Sequence, residues 1–393
     1  MRSDFELAMS CYGDAGRIAE RERHGELALR TRFVQAAAAL AGGDEEARPR
    51  LTEHIEAARA HEWDELASTG YSNLANLDVE QRRFRAAEHL LEESLRFTME
   101  RDIPICRHWQ TGVRSRLHFS NGHWSAALED AEHVLESEGM PLATLWPLLV
   151  TALVPLRRGD ENASTAPFEA AWELADRIDE PLRRLAVLSA LAERMWMTEL
   201  PDVRVTDVAV SSLDRLAALP GSGLAAGDLA LWLARLGLLE KPPVSVAEPF
   251  RLALDGHPEE AASWWRRMGD PFAEAMAWGE STDAAHRARA VELLDKLGAT
   301  GTADRQRGAL RRDGVMGVPP RPRVSTRANP AGLTNRQLDV AKLVARGFTN
   351  AEIAARLYIS PKTADHHVSA ILTKLGLPNR RAVVVQSDEL GLG

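Results

Sequence analysis

The feature that most constrains this chain is the spacing of its apolar residues. Over roughly the first 313 residues they recur at intervals of three and four, as in Phe84, Ala87, Leu91 and Leu95, which is the spacing of one helical face. Runs that alternate apolar and polar residues, as strands do, are not convincing in this region. Pro, Gly, Asn and Asp interrupt the helical pattern at short intervals. The sequence therefore predicts an all-α fold of many short helices.

A weak internal repeat runs through the helical region. Phe84–Ala87 (FRAA) is followed 40 residues later by Trp124–Ala127 (WSAA), and Phe168–Trp172 (FEAAW) is a looser copy. Each copy predicts the start of an amphipathic helix, in which paired alanines let a neighbouring helix pack closely beside a bulky aromatic ring. We expect antiparallel helix pairs stacked into a solenoid, similar to degenerate tetratricopeptide repeats. An irregular helical bundle is the alternative.

The character of the chain changes near residue 314. The segment 314–330, GVMGVPPRPRVSTRANP, holds four prolines and three arginines without periodicity, which is typical of an extended linker. Residues 321–393 carry eleven Lys and Arg against five Asp and Glu, a net charge of +6, so residues 1–320 carry −15. We predict a helical-repeat region over 1–313, a linker over 314–330 and a basic domain over 331–393. A basic domain favours polyanionic partners, although small domains also vary in charge by chance.

Several classes of protein are excluded by what the sequence lacks. Two cysteines, Cys11 and Cys106, are too few for a disulfide framework or a multi-cysteine zinc site. No apolar run is long enough to cross a membrane, and the N-terminus lacks the pattern of a secretory signal, so the cytoplasm is the expected compartment. His366 and His367 point about 100° apart on a helix and have no further ligand nearby. We therefore expect no metal, no cofactor and no catalytic site.

Helix-start signals divide the last 63 residues into four short helices. Thr-x-x-Gln and Thr-x-x-Glu capping boxes, a Ser-Pro pair and an Asn cap predict the four starts. In order, these signals are Thr334–Gln337, Thr349–Glu352, Ser360–Pro361 and Asn379. Gly347 predicts the end of the first helix. The second and third helices have the order and length of a helix-turn-helix pair, whose later helix enters the major groove of DNA.

The third helix, Pro361–Lys374, has two distinct faces. Its predicted buried stripe consists of Ala364, Val368, Ile371, Leu372 and Leu375, and its opposite face of Lys362, Asp365, His366, Ser369 and Thr373. Lys362 and Thr363 lie at the helix N-terminus, which suits phosphate contact. Asp365 can accept a hydrogen bond from cytosine N4, and His366 and Ser369 can reach other base edges. The alternative is an ordinary solvated helix face.

The run LTNRQLDVAKLVARGFTNAEIAARLYISPKTADHHVSAILTKLGLPNRRAVV resembles the DNA-binding domain of LuxR/FixJ/NarL-type transcription regulators. The resemblance covers about 63 of 393 residues and implies a four-helix domain with its helix-turn-helix over 348–367. It implies base contacts from Asp365, His366 and Ser369, phosphate contacts from Asn350, Lys362, Thr363 and Lys374, and dimer contacts from Arg381, Val383, Val384 and Val385. Gln337 stands where the family usually has Glu, and Ala364 where Val is common.

Residues upstream extend the resemblance. Trp264–Phe272 and Ala290–Gly298 are similar to the end of the helical sensor region of large MalT-like (LAL) regulators. Those regulators begin with an ATPase domain, but this chain contains no Gly-Lys pair and hence no Walker A loop. We therefore expect this chain to correspond to the helical-repeat and DNA-binding portions of such a regulator alone.

The resemblance implies a sequence-specific transcription regulator, an activator, that binds double-stranded promoter DNA as a homodimer and contacts RNA polymerase. The acidic repeats are expected to receive an unidentified ligand or protein, and the ten tryptophans are either core or lining of a ligand groove. The alternative function is a helical-repeat scaffold or adaptor that uses the helix-turn-helix for protein contact, for example against a full-length regulator.

Overall fold

The computed structural model describes residues 5–137, 139–316, 318–321, 333, 335–357 and 361–387. These residues form 21 α-helices and no β-strand, which confirms the predicted all-α fold. The chain divides into two compact units, Met1–Val318 and Pro319–Gly393. Among the described helices, none combines the length and the apolar character needed to span a membrane.

The first unit contains seventeen α-helices among its described residues, with a 3-10 turn at Pro141–Thr144 and a π-helical segment at Arg204–Ala209. The helices are α1 (Phe5–Arg21), α2 (Gly25–Ala41), α3 (Ala47–Ala60), α4 (Asp64–Glu80), α5 (Phe84–Glu100), α6 (Pro104–Ser120), α7 (Trp124–Glu136), α8 (Leu145–Arg158), α9 (Glu161–Ile178), α10 (Pro181–Thr198), α11 (Val210–Ala217), α12 (Gly223–Arg235), α13 (Phe250–Leu254), α14 (Pro258–Met268), α15 (Pro271–Gly279), α16 (Ala284–Leu297) and α17 (Thr300–Arg312).

The turns that join α1 to α7 repeat about every 20 residues. Each contains one residue in the left-handed conformation, and these residues are Arg23, Gly43, Glu62, Arg82, Asp102 and Gly122. In every turn the amide of that residue donates to the carbonyl three positions back, and the next amide donates five positions back. This is the Schellman closure of a helix C-terminus. One helix pair therefore occupies about 40 residues, the interval of the sequence repeat.

Two of the three aromatic-alanine copies begin helices as predicted. Helix α5 starts at Phe84 and α7 at Trp124, and both rings are buried. The prediction is wrong for Phe168, which is fully buried but lies in the middle of α9. The carboxylate of Asp160 accepts a hydrogen bond from the amide of Ala163 at 3.1 Å, so that cap starts α9 well before the aromatic residue.

Packing in the first unit follows chain order. Each of α1 to α9 contacts the next helix, and the even-numbered helices from α2 to α12 also contact one another in series. The unit then returns on itself, because α17 packs against α8 and α10. The hydroxyl of Thr300 donates to the carbonyl of Arg158 at 2.7 Å, and Arg305 pairs with Glu199 at 2.8 Å. Because the even-numbered helices contact one another in series, they lie together on one face of the array.

The second unit contains α18 (Asn335–Ala345), α19 (Asn350–Leu357), α20 (Pro361–Leu375) and α21 (Arg380–Val385). Its core is formed by apolar residues from all four helices and by Leu333. Those fully or nearly fully buried are Leu333, Val340, Ala341, Val344, Ile353, Ala354, Ala364, Val368, Ile371 and Val383. Leu338, Ala345, Leu357, Leu372 and Leu375 pack partly buried around them. The predicted buried stripe of the third helix is thus confirmed.

Candidate nucleic-acid interface

The start of α19 is held by the predicted capping box. The amide and hydroxyl of Thr349 both donate to Oε2 of Glu352 at 2.7 Å, and the amide of Glu352 donates back to the Thr349 hydroxyl at 3.3 Å. These bonds lower the pKa of the Glu352 carboxyl, because they stabilise its charged form. The capping box at Thr349–Glu352 is therefore confirmed. Two of the other three predicted starts depend on Thr334 and Ser360, which lie outside the described residues.

Tight turns orient the remaining helices of this unit. Gly347 and Gly376 take left-handed backbone angles, with φ of 85° and 66°, which stop α18 and α20 at little steric cost. Asn379 caps α21 by accepting the amide of Ala382 at 3.1 Å, as predicted. Helix α20 packs against α18, α19 and α21. One face of α20 is thereby fixed in the core, and its opposite face is presented to solvent.

The exposed face of α20 carries the residues predicted to contact DNA. Lys362, Thr363, Asp365, His366 and Ser369 are all exposed. At a rise of 1.5 Å per residue, Lys362 and Ser369 lie about 10 Å apart along the helix axis. The major groove of B-form DNA is about 12 Å wide and admits an α-helix, whose diameter with side chains is about 10–12 Å.

A hydrogen-bonded chain of three side chains links α19, α20 and α21. The guanidinium of Arg380 donates to Oδ1 of Asn350 at 2.8 Å, and Nδ2 of Asn350 donates to Oδ1 of Asp365 at 3.0 Å. Two residues predicted to contact DNA, Asn350 and Asp365, therefore also bind each other within the domain. Arg380 was not among the predicted site residues, because it follows the Asn379 cap and belongs to no separate motif.

A second link joins α20 to α18. The ammonium of Lys374 donates to Oε1 of Gln337 at 2.8 Å. Lys374 is exposed, whereas Gln337 is only 9% exposed. Gln337 was predicted as the second half of a capping box with Thr334, which lies outside the described residues, and its Oε1 is the acceptor of this bond from α20. Arg356 of α19 also lies over the ring of Phe348, 4.2 Å from its centroid.

Of the four residues of α21 predicted to form a dimer contact, three are exposed and one is buried. Arg381 is exposed, and Val384 and Val385 are 40% and 76% exposed. Val383 is fully buried in the domain core, so its side chain faces inward and does not reach a partner surface in this structure. The structure therefore corrects the prediction for Val383, because helical spacing turns it towards the core while its two neighbours face solvent.

Four short helices around a single core, with one exposed polar helix preceded by a capped shorter helix, define a helix-turn-helix module. Residues 331–387 match the family described as bacterial regulatory proteins, luxR family (GerE). The chain thus carries a LuxR-family helix-turn-helix domain on its C-terminal side, which confirms the resemblance inferred from the sequence. Within the described residues, no group of three or more His, Cys, Asp or Glu side chains is placed to hold a metal ion.

Two curated proteins illustrate the similarity. A putative HTH-type transcriptional regulator, Rv0890c of Mycobacterium tuberculosis, is 33% identical over 115 residues, which cover 28% of this chain and 13% of that protein. The oxygen regulatory protein NreC of Staphylococcus aureus is 42% identical over 52 residues, covering 13% of this chain and 24% of NreC. The chain thus spans less than a quarter of the length of these relatives.

Proposed function

We propose that this chain is a sequence-specific, DNA-binding transcription regulator that acts as an activator and has no catalytic activity. The observation that carries the proposal is the exposed polar face of α20 opposite a fully packed stripe, inside a domain that matches the luxR family. Both relatives described above are named as regulators, which supports the same function.

In this proposal α20 lies in the major groove with its N-terminus against the phosphate backbone. Lys362 and Thr363 contact phosphates at the N-terminus of α20, where the helix dipole also favours an anion. His366 and Ser369 address base edges. Because Asn350 donates to Oδ1 of Asp365, Oδ2 is the oxygen that Asp365 offers to cytosine N4.

Asn350 and Lys374 complete the proposed contacts with the phosphate backbone. Both are held within the domain, Asn350 by Arg380 and Lys374 by Gln337. Such bonds fix the positions of the two side chains before DNA arrives, which reduces the ordering that binding requires. We therefore assign them to positioning the domain rather than to reading sequence.

A homodimer on promoter DNA is the proposed binding form. Arg381, Val384 and Val385 of α21 supply the exposed contact surface. Pairing through α21 places two copies of α20 on half-sites about one helical turn of DNA apart. RNA polymerase is the proposed downstream partner, and the bacterial cytoplasm, at the nucleoid, the proposed location.

The proposed organisation separates control from DNA binding. Residues 1–313 form tetratricopeptide-like repeats that receive a ligand or protein, 314–330 a linker, and 331–393 the DNA-binding domain. The Schellman turns and the series of contacting even-numbered helices support the repeat interpretation. Because residues 1–320 carry a net charge of −15, their overall field repels the polyanionic DNA backbone, which makes them unsuited to DNA contact. Limited proteolysis tests the organisation: first cleavage should fall within 314–330.

The direct test is selection of duplexes from a random DNA pool by the full chain, followed by fluorescence anisotropy with the selected duplex and a scrambled one. We expect preference for the selected duplex and a steep loss of affinity with salt, with a log–log slope of about −0.9 per phosphate neutralised. If no duplex is selected and binding does not depend on salt, the scaffold interpretation replaces this proposal.

Three substitutions separate the assigned roles. Lys362→Ala should weaken binding to every duplex alike and make the salt slope shallower by about one. His366→Ala and Ser369→Ala should each cost about 1–3 kcal/mol on the selected duplex and relax preference at one position. Lys241→Ala is the charge-matched control, because it removes an exposed Lys from the other unit. If all three variants bind like the control, α20 is not the recognition helix.

A further inference from the structure

The first unit contains two adjoining cavities on the face shared by its even-numbered helices. Their volumes are about 90 and 60 Å³, and four residues line both: Arg82, Trp146, Ala186 and Asp228. The walls come mainly from α8, α10 and α12, with α14 and α15 on the far side. Stacked helical repeats commonly present their concave face as a binding surface.

Buried hydrogen-bond donors without acceptors belong to residues that line these cavities. Among the described residues, Nε of Arg82, Nε1 of Trp146, and Nε and Nη1 of Arg116 are inaccessible to solvent and make no hydrogen bond. The side chain of Arg116 is only 8% exposed and lies with its guanidinium 3.8 Å from the centroid of the Trp146 ring. All four atoms are donors, so the missing partner is an acceptor.

The charges around Arg116 favour an anion. Glu80 is the nearby carboxylate, but it is bound by Arg183 at 2.9 Å and lies 3.5 Å from Nη1 of Arg116, which is long for a hydrogen bond. Burial lowers the pKa of the Arg116 guanidinium to about 9, and the positive charges of Arg82 and Arg183 act in the same direction, against the attraction of Glu80. Arg116 and Arg183 thus share one carboxylate.

The other charged groups of the two cavities already have partners. Arg157 is paired with Glu193, and Arg235 with Glu280. The remaining carboxylates accept hydrogen bonds: Asp228 from the Ser189 hydroxyl at 2.6 Å, and Asp270 from the amide of Ala273 at 2.9 Å. Together the lining holds five arginines and four carboxylates, so the net charge is positive.

The larger cavity is also apolar and aromatic over much of its wall. Phe119, Trp232, Phe250, Trp265 and Phe272 line it. A ligand that fits must therefore carry an acceptor group at one end and an apolar body at the other, because pockets of this kind hold apolar surface and orient it with a few polar contacts.

We propose that these cavities bind a small organic anion, whose carboxylate or phosphate accepts from Arg82, Arg116 and Trp146 while its apolar body lies among the aromatic rings. Binding at this site does not depend on the proposed DNA-binding function. Only its regulatory consequence, a change in DNA affinity, rests on that function.

The test is isothermal titration calorimetry of the full chain, without DNA, using benzoate, phenylacetate and phenyl phosphate as probes. Benzamide, phenylacetamide and benzyl alcohol are the matched neutral compounds. We expect at least one anion to bind saturably and at least tenfold more tightly than its neutral counterpart. Equal affinity of anions and neutral compounds, or no binding by any anion, overturns the proposal.

Substitutions locate the site. Arg116→Met and Arg82→Gln should each weaken binding of the anion at least tenfold, and Trp146→Phe, which keeps an aromatic ring but removes the donor, should weaken it severalfold. Arg30→Gln is the matched control, because Arg30 is an exposed arginine paired with Glu26 on α2. If Arg116→Met does not fold, the other two variants still decide. Unchanged affinity in folded variants overturns the assignment.

Discussion

The two units of this protein use charged side chains in opposite ways. In the first unit, charged groups pair across helices, as Arg157 does with Glu193 and as Arg48 and Arg83 do with the fully buried Asp78. In the LuxR-family domain the described charged residues are exposed except for the half-buried Arg380, and the core cluster is apolar. Interior pairs are largely shielded from salt, whereas surface charges respond to it and can bind polyanions. Paired interior charges of this kind stabilise the first unit, whereas the exposed charges of the second unit are available to a polyanion.

The largest effect is expected from breaking the interior pair of Arg157 and Glu193. Arg157→Met leaves Glu193 buried without its two hydrogen bonds of 2.6 and 2.8 Å, so stability should fall by about 3–5 kcal/mol. Denaturant unfolding followed by tryptophan fluorescence measures this unit alone, because all ten tryptophans lie within residues 1–320.

The matched control for this pair is the double variant with Glu193→Met added, which should recover most of the loss. If Arg157→Met alone lowers the stability of the first unit by less than about 1 kcal/mol, the interior pair does not stabilise this unit.

The apolar core of the second unit should respond next. Ile371 is 1% exposed, so Ile371→Ala should destabilise the LuxR-family domain by about 2–5 kcal/mol through lost burial and a cavity. Hydrogen exchange by mass spectrometry on peptides of α20 reports this domain separately. Tryptophan fluorescence should stay unchanged. A shift in both readouts would contradict independent unfolding of the two units.

A smaller effect is expected from the chain of Arg380, Asn350 and Asp365. Asn350→Ala removes two hydrogen bonds, and at about 0.5–1.5 kcal/mol each the domain should lose roughly 1–3 kcal/mol. A double-mutant cycle with Arg380→Met measures their coupling by hydrogen exchange. If the stability losses of the two single variants add up to the loss of the double variant, the two side chains are not coupled. The exposed polar groups of the domain would then serve recognition alone.

The smallest effect concerns pH. Because the pKa of Glu352 is lower in the folded domain than its ordinary value of 4.5, the carboxylate adds stability above that value, and this contribution is lost as pH falls through the folded pKa. Glu352→Ala should therefore be less stable than wild type at pH 7, with the difference narrowing below about pH 4.5. Hydrogen exchange at a series of pH values checks this. A constant difference would mean that the charge of Glu352 is not involved.

The sequence was most informative where a feature depends on neighbouring residues. Capping motifs such as Thr349–Glu352 and Asn379 predicted helix starts correctly, because caps are local interactions. The aromatic-alanine motif failed at Phe168, where the cap at Asp160 determined the helix start. The bond between Lys374 and Gln337 and the cavity beside Arg116 were not predicted, since each joins side chains from distant segments. Burial of Val383 depended in the same way on how α21 packs.

The helices of the first unit pack largely in chain order, and this affects how the unit folds. Most of its helices touch partners one or two positions along the chain, which keeps contact order low and allows rapid, stepwise folding. Helix α17 is different, because the hydroxyl of Thr300 binds a carbonyl 142 residues earlier in the chain. Because α17 packs against α8 and α10, it can dock only after those helices have formed. Docking of α17 is therefore a late folding step, and it links the locally packed helices into one cooperative unit.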